Sequence, residues 1–307
     1  MTIAIIMAIA EIFGLFMFGS IARRLGYISD NDIDRWTCFI IDFLLPVFSF
    51  TSILKGLDTQ KIHELWLLPV TGFVMVVIFT VAGILLKGGL LTKNAKMKRT
   101  FLHLCAVNNS SFLPIIILRN IGGDGSLANL FLLYIGTLVG IWTIGIGVLG
   151  SGNGAIKERL KKLVSPNLIA IIAAIVIALL GGRKIIPELV LRILSSAGSS
   201  APELMMLLIG ATLAKRGTLR VSWQVVYTTI VRLLILPAMM IPLLHLLPFS
   251  KESYSVAVIV ALMPTAISSV IYTRRYGGMP GYAASSALVT TVCSIITVPL
   301  AVWLLFR

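Results

Sequence analysis

The sequence predicts an all-α polytopic membrane protein: ten transmembrane helices in two inverted five-helix repeats, with the fourth and ninth helices broken and crossing. Three observations point there: the composition, the spacing of apolar runs, and a motif that recurs at about half the chain length. Of 307 residues, 58% are hydrophobic and only 12% charged, against ~25% charged in soluble domains. Apolar surface on that scale would leave large exposed patches in water. A bilayer core of about 30 Å takes roughly 20 apolar residues per helix, so ten spans with short connections fit the length.

The runs fall at about 3–22, 36–54, 65–86, 100–118, 127–149, 166–181, 200–214, 221–247, 254–273 and 282–305. The first is read as a span from Thr2 onward that stays in place, because Arg23 and Arg24 follow the apolar stretch instead of preceding it as in a signal peptide. The second starts after Ser29, with Asp32 three residues on, a capping-box pattern. Glycine terminates the third at Lys87-Gly88-Gly89 and the fifth at Gly150-Ser151-Gly152. Ser165-Pro166 supplies a cap and an N1 proline to the sixth. The seventh is the shortest, its start blurred by Ser195–Ser200 and Pro202. Trp36, Trp66, Trp223 and Tyr254 near span ends fit an interfacial aromatic belt, and Trp142, in mid-span, does not.

Lys and Arg number 26 against 12 Asp and Glu, a net charge of +14. These cations sit almost wholly between apolar runs, so membrane topology explains them and nucleic-acid binding is not expected. The odd-numbered loops carry 17 basic residues, and the even loops plus both ends carry 8. That bias puts the odd loops, Lys157–Lys162 among them, in the cytoplasm and both termini outside. Cys38, Cys105 and Cys293 all lie inside expected spans, without CxxC or Cys/His ligand spacing. Neither a disulfide nor a metal site nor any cofactor is therefore expected.

Arg119-Asn120-Ile121-Gly122-Gly123 recurs as Arg274-Arg275-Tyr276-Gly277-Gly278, an offset of 155. Lys55-Gly56 is echoed by Lys215-Arg216-Gly217. The repeats are placed at 1–150 and 165–307, joined by a basic cytoplasmic linker at 151–164. Five spans is an odd number, so the second half enters the membrane inverted, a plan that recurs in secondary transporters.

The chemistry concentrates in two runs. Asn108-Asn109-Ser110-Ser111-Phe112-Leu113-Pro114 places polar residues and a proline in the fourth span, where lipid offers no hydrogen-bond partners. Pro264-Thr265-Ala266-Ile267-Ser268 breaks the ninth, since proline removes a donor and frees the carbonyl four residues back. At the repeat offset Pro264 falls opposite Asn109. Matched breaks would aim backbone donors and helix N-termini at one point, where an anion is the natural occupant. The candidate substrate-binding residues are Asn108, Asn109, Ser110, Pro114, Pro264, Thr265, Ser268 and Arg232. Arg232 lies mid-span, and two readings of it stay open: it faces the anion, or it pairs structurally with Asp42 or Glu11. Asp42 and Glu11 are themselves candidate coupling or structural charges. His103 is expected at a span border, with His63 and His245 near the outer face. No Gly-Lys-Ser/Thr phosphate loop, GxSxG or HExxH is present, and Asp30-Asn31-Asp32-Ile33-Asp34 lacks the glycine and closing glutamate of a calcium loop. An enzyme is not expected.

The chain also resembles the auxin efflux carrier family of permeases, in its bacterial branch, along nearly its whole length. The resemblance runs through Arg23–Ser29 and Leu44-Leu45-Pro46, Ser165-Pro166-Asn167-Leu168, Leu208–Ala214, Arg232 with Pro237, and Met263-Pro264-Thr265-Ala266 followed by Arg274–Gly278. It implies a scaffold built from helices 1, 2, 6 and 7, often a dimer interface. It also implies a transport domain of helices 3–5 and 8–10 that moves as an elevator. Substrates would be small organic anions, carboxylates or dicarboxylates of the malate and malonate type. The ligand asparagine of the fourth-helix break carries over to Asn109 or Asn108. The sequence departs from the pattern at Pro114, which comes early after Phe112, and at Ser268, where asparagine is common. The expected protein is a homodimeric permease of a bacterial inner membrane, in contact with lipid. The alternatives are a proton- or sodium-coupled symporter of the same substrates, a channel, or an anion receptor that does not transport.

Overall fold

The computed structural model describes residues 2–60, 62–150, 163–182, 186–214 and 221–306. The Lys157–Lys162 loop, most of the expected repeat boundary at 151–164, Lys215-Arg216-Gly217 and the side chain of His63 lie outside the described residues. Among the described residues every regular element is helical, and the one β-type pairing is a single bridge. In chain order the helices are α1 Thr2–Arg24, α2 Asp30–Gly56, α3 Ile62–Leu86, α4 Ala95–Ala106, α5 Phe112–Gly140 and α6 Pro166–Leu179. They continue with α7 Glu188–Gly198, α8 Ser200–Leu213, α9 Trp223–His245, α10 Lys251–Ala261, α11 Ser269–Arg275 and α12 Pro280–Leu305.

Six of the described helical runs are long and apolar enough to cross a membrane: Asp30–Gly56, Trp66–Leu90, Phe112–Leu149, Glu188–Leu213, Trp223–His245 and Pro280–Leu305. Pro166–Leu179 is apolar but shorter. The expected fourth and ninth spans are not continuous helices. Each is cut in two, between α4 and α5 and between α10 and α11. The chain is thus a polytopic helical membrane protein.

Local chemistry sets the helix ends. The Ser29 hydroxyl accepts from the Asp32 N–H at 3.2 Å, and the Asp32 carboxylate accepts from the Ser29 N–H at 2.8 Å, so two orphan donors of α2 are satisfied reciprocally. Ser165 caps α6 through the Leu168 N–H at 3.3 Å, ahead of the N1 proline. Gly150 closes the fifth span at φ +70°, where a side chain is disfavoured. After α3 the left-handed residue is Leu91 rather than a glycine. Gly89 serves close approach instead, because a Cβ there would lie 2.3 Å from the Tyr227 ring.

Three wide turns interrupt the spans, at Ile40–Leu44, Ile141–Gly145 and Val231–Ile235. Pro46 and Pro237 follow the first and third. A proline ring clashes with the carbonyl four residues back, and a π turn relieves that clash.

The chain forms two compact units. One comprises 1–66, 111–132 and 164–215, and the other 67–110, 133–163 and 216–307. In the first, α1 and α8 pack so closely that a Cβ on Gly19 would sit 1.9 Å from the Leu207 carbonyl oxygen. The Ser20 hydroxyl donates to the Gly210 carbonyl at 2.8 Å in the same seam. In the second, a Cβ on Gly136 of α5 would sit 1.6 Å from the Pro69 carbonyl oxygen of α3. Small residues let helix backbones approach closely where no hydrophobic force drives association.

Candidate functional site

Both broken helices end in the second unit. α4 stops at Ala106 and α10 at Ala261, and the segments that follow run extended and antiparallel, with Asn108 opposite Thr265. The Asn109 N–H donates to the Pro264 carbonyl at 2.8 Å, and the Ala266 N–H donates to the Val107 carbonyl at 3.2 Å. Backbone donors that would have continued each helix are spent on the other.

This leaves helix carbonyls without their usual partners, and the structure supplies others. Pro264 has no N–H for the Val260 carbonyl, and the Asn108 side-chain amide donates to it at 2.7 Å. The Thr265 N–H turns to the Thr290 hydroxyl at 3.3 Å, and Arg232 Nη2 donates to the vacated Ala261 carbonyl at 3.1 Å. The Asn109 N–H is committed to Pro264, and Arg232 Nη1 donates to the Cys105 carbonyl at 3.1 Å. Arg232 Nε donates to the Met263 carbonyl at 2.8 Å. One guanidinium therefore ties the C-terminal ends of both α4 and α10. Its Cζ lies 4.6 Å from the centroid of the Phe79 ring, and Arg232 is 0% exposed.

The open reading of Arg232 as a partner of Asp42 or Glu11 is not what the structure shows, because its contacts are carbonyls and an aromatic face. Asp42 is exposed in the wide turn of α2. Glu11 belongs to a cluster in the first unit, where Arg119 pairs with Glu11 at 2.9 Å and with Glu203. The Asn120 amide donates to Glu11 at 3.2 Å in the same cluster. His103 is also not interfacial. It is buried, with Nδ1 2.6 Å from the Gly145 carbonyl oxygen and its ring edge-on to Tyr272. The fifth span brings Gly145 there, so a backbone acceptor satisfies Nδ1, while Nε2 is buried without a partner among the described residues.

Of the candidate residues, the structure brings Asn108, Asn109, Ser110, Pro264, Thr265 and Arg232 together, with Ser268 just ahead of α11. Pro114 lies in the first turn of α5, within the other unit. The two asparagines differ: the Asn108 amide is used on Val260, whereas the Asn109 side chain makes no hydrogen bond among the described residues. The Thr265 hydroxyl pairs with that of Thr290 at 3.0 Å. Sequence reasoning missed Thr290 and Phe79. A signal for Thr290 existed, since Ser286, Thr290 and Ser294 recur every fourth residue in an otherwise apolar α12. Phe79 has none, because a phenylalanine in an apolar run is indistinguishable from its neighbours.

Interrupted helices bonded to each other inside an apolar helical protein are a plan that recurs in secondary transporters. The family described as membrane transport protein matches residues 4–158 and 153–303, and the chain belongs to that family, the auxin efflux carrier-type permeases. It is 24% identical over 297 residues to an uncharacterized transporter of Methanocaldococcus jannaschii, covering 95% of this chain and 96% of that one. It is 25% identical over 289 residues to an uncharacterized transporter of Methanothermobacter thermautotrophicus, covering 93% of each. It is a transport protein and not an enzyme.

Proposed function

We propose that the protein is a secondary transporter that carries a small organic anion, a carboxylate or dicarboxylate, by elevator-type alternating access at the crossed breaks. In this reading ten helices form two inverted five-helix repeats. The scaffold holds helices 1, 2, 6 and 7, and the protein is a homodimer in a bacterial inner membrane with both termini outside. The observation that carries the reading is the pair of backbone bonds between the breaks, with the unbonded amide of Asn109 beside them. Inverted halves relate equivalent segments by a two-fold axis in the membrane plane. Such an axis makes equivalent breaks meet antiparallel, and Asn109 and Pro264 stand 155 residues apart, the offset of the Arg-x-x-Gly-Gly repeat. The division of the chain fits it in part, since the compact unit of 1–66, 111–132 and 164–215 holds the first, second, sixth and seventh spans together with the end of the fourth and the start of the fifth.

Asn109 supplies the side-chain donor to the anion, and Ser110 and Ser268 line the same point. Pro114 fixes the first turn of the half-helix that follows the break, Pro264 and Thr265 shape the backbone, and Asn108 and Arg232 complete the set. The test is a thermal-shift screen of purified protein against malate, malonate and related carboxylates, followed by uptake into proteoliposomes. A site ligand raises the melting temperature by mass action, and uptake of that ligand saturates. A stabilising carboxylate that is never taken up points to a receptor, and uptake that does not saturate points to a channel.

A further inference from the structure

Arg232 carries a full positive charge into the core, and every partner it has is an uncharged oxygen or a ring. Among the described residues no carboxylate pairs with it. Its bonds fall on the last carbonyls of α4 and α10 and on the Met263 carbonyl just beyond. Each helix C-terminus carries roughly half a negative charge. Two such ends meeting at the crossing amount to about one negative charge, which offsets the positive ends of the half-helices that follow the breaks and weakens the site for an anion. One guanidinium laid across both ends cancels that charge and holds the ends in register.

We propose that Arg232 makes the crossing hospitable to an anion without touching it: it is a positioning and charge-setting residue whose guanidinium neutralises two helix C-termini at once. The proposal rests on the anion-transport reading of the crossing. It reassigns Arg232 from a ligand contact to a residue that acts through the backbone of α4 and α10. Its geometry favours this, since three of its nitrogens are committed to carbonyls, one face is covered by Phe79, and none of its surface is exposed.

The experiment reads the potential at the crossing directly and needs no knowledge of the substrate. A thiol is placed by Asn109→Cys in a Cys38→Ser, Cys293→Ser background, which leaves Cys105 in place because it is buried. Purified protein is labelled with two methanethiosulfonates, one bearing a sulfonate and the other a trimethylammonium group. Each rate is divided by the rate on a free thiol. With Arg232 intact, the anionic reagent is expected to react at least as fast as the cationic one. In Arg232→Gln the anionic-to-cationic ratio is expected to fall by about tenfold or more, as the loss of one unit of charge in a partly screened interior dictates. Arg232→Lys keeps the charge and restores the ratio even where it lowers the melting temperature, which a purely structural role would not do.

A ratio unchanged in folded Arg232→Gln overturns the proposal. Where Arg232→Gln does not fold, a preference for the cationic reagent with Arg232 intact overturns it, and an anionic preference upholds it. If neither reagent reaches the introduced thiol in folded protein, the crossing is closed, and the transport-site reading fails before the role of Arg232 arises.

Discussion

Arg119 and Arg232 both lie on apolar helices of this protein, and they are handled in opposite ways. Arg119, in the first unit, meets two carboxylates, and its side chain is 32% exposed. Arg232, in the second, meets three carbonyls and no carboxylate, and is 0% exposed. The first arrangement neutralises charge with charge where solvent or headgroups can share the load. The second uses a charge as the solution to a backbone problem, satisfying carbonyls that two broken helices leave behind. An intramembrane arginine is thus not informative by its presence alone. What it bonds to decides whether it closes a charge balance or opens one.

The largest effect that can break this comparison is on folding. Arg232→Gln removes three charge-assisted bonds and leaves buried carbonyls short of a partner, at roughly 1–3 kcal/mol for each unsatisfied group. A loss of more than about 3 kcal/mol is therefore expected in denaturant unfolding in detergent, with Arg232→Lys falling between it and wild type. The next is Asn108→Ala, which strips the side-chain donor from Val260 and leaves it the Met263 N–H, and should cost about 1–1.5 kcal/mol by the same measurement. Asn109→Ala should cost less than Asn108→Ala, below about 1 kcal/mol, because the Asn109 side chain is buried but makes no hydrogen bond among the described residues. Binding of the stabilising carboxylate should instead weaken by about one to two decades in Asn109→Ala. If the two asparagines exchange these phenotypes, the division of labour drawn from their hydrogen bonds is wrong. Thr290→Val follows at about 1 kcal/mol, since it removes the partner of the Thr265 N–H and hydroxyl. Glu11→Gln is expected to be the smallest, below about 1 kcal/mol, because half-exposed ion pairs gain little net energy. Raising the salt concentration should lower the stability contribution of the Arg119 cluster and leave that of Arg232 in place. Equal salt sensitivity would erase the distinction.

Much of the fold was legible because apolar length and charge placement are strong signals. Ser29 with Asp32 and Ser165 with Pro166 cap the helices they were expected to cap. The two breaks were legible because four polar residues before Pro114, and Pro264 within an apolar run, are costly in lipid unless something else uses them. The bonding at the breaks was not legible. Nothing in Asn108-Asn109 says which amide is spent on the neighbouring break, because that depends on the register of a helix 152 residues away. His103 was misplaced because its acceptor, the Gly145 carbonyl, is a backbone atom that no side-chain pattern reveals. Arg232 was placed correctly in its span, but its partners are carbonyls exposed only because other segments pair, a tertiary fact with no local trace.

The joint between the two breaks is made of peptide groups: Asn109 N–H to the Pro264 carbonyl, and Ala266 N–H to the Val107 carbonyl. Peptide groups are common to all residues, so the joint survives any substitution at positions 107, 109 or 266 that is not proline at a donor position. Side chains on the extended segments are then free to drift while the framework that presents them stays constant. On the proposed reading of the breaks as the cargo site, a lineage can exchange one cargo for another by altering an amide or a hydroxyl there, without first having to rebuild the junction. Evolvability of cargo choice is thus written into the main chain, and conservation should be sought less at Asn109 than at Arg232 and Pro264, which keep that main chain in place.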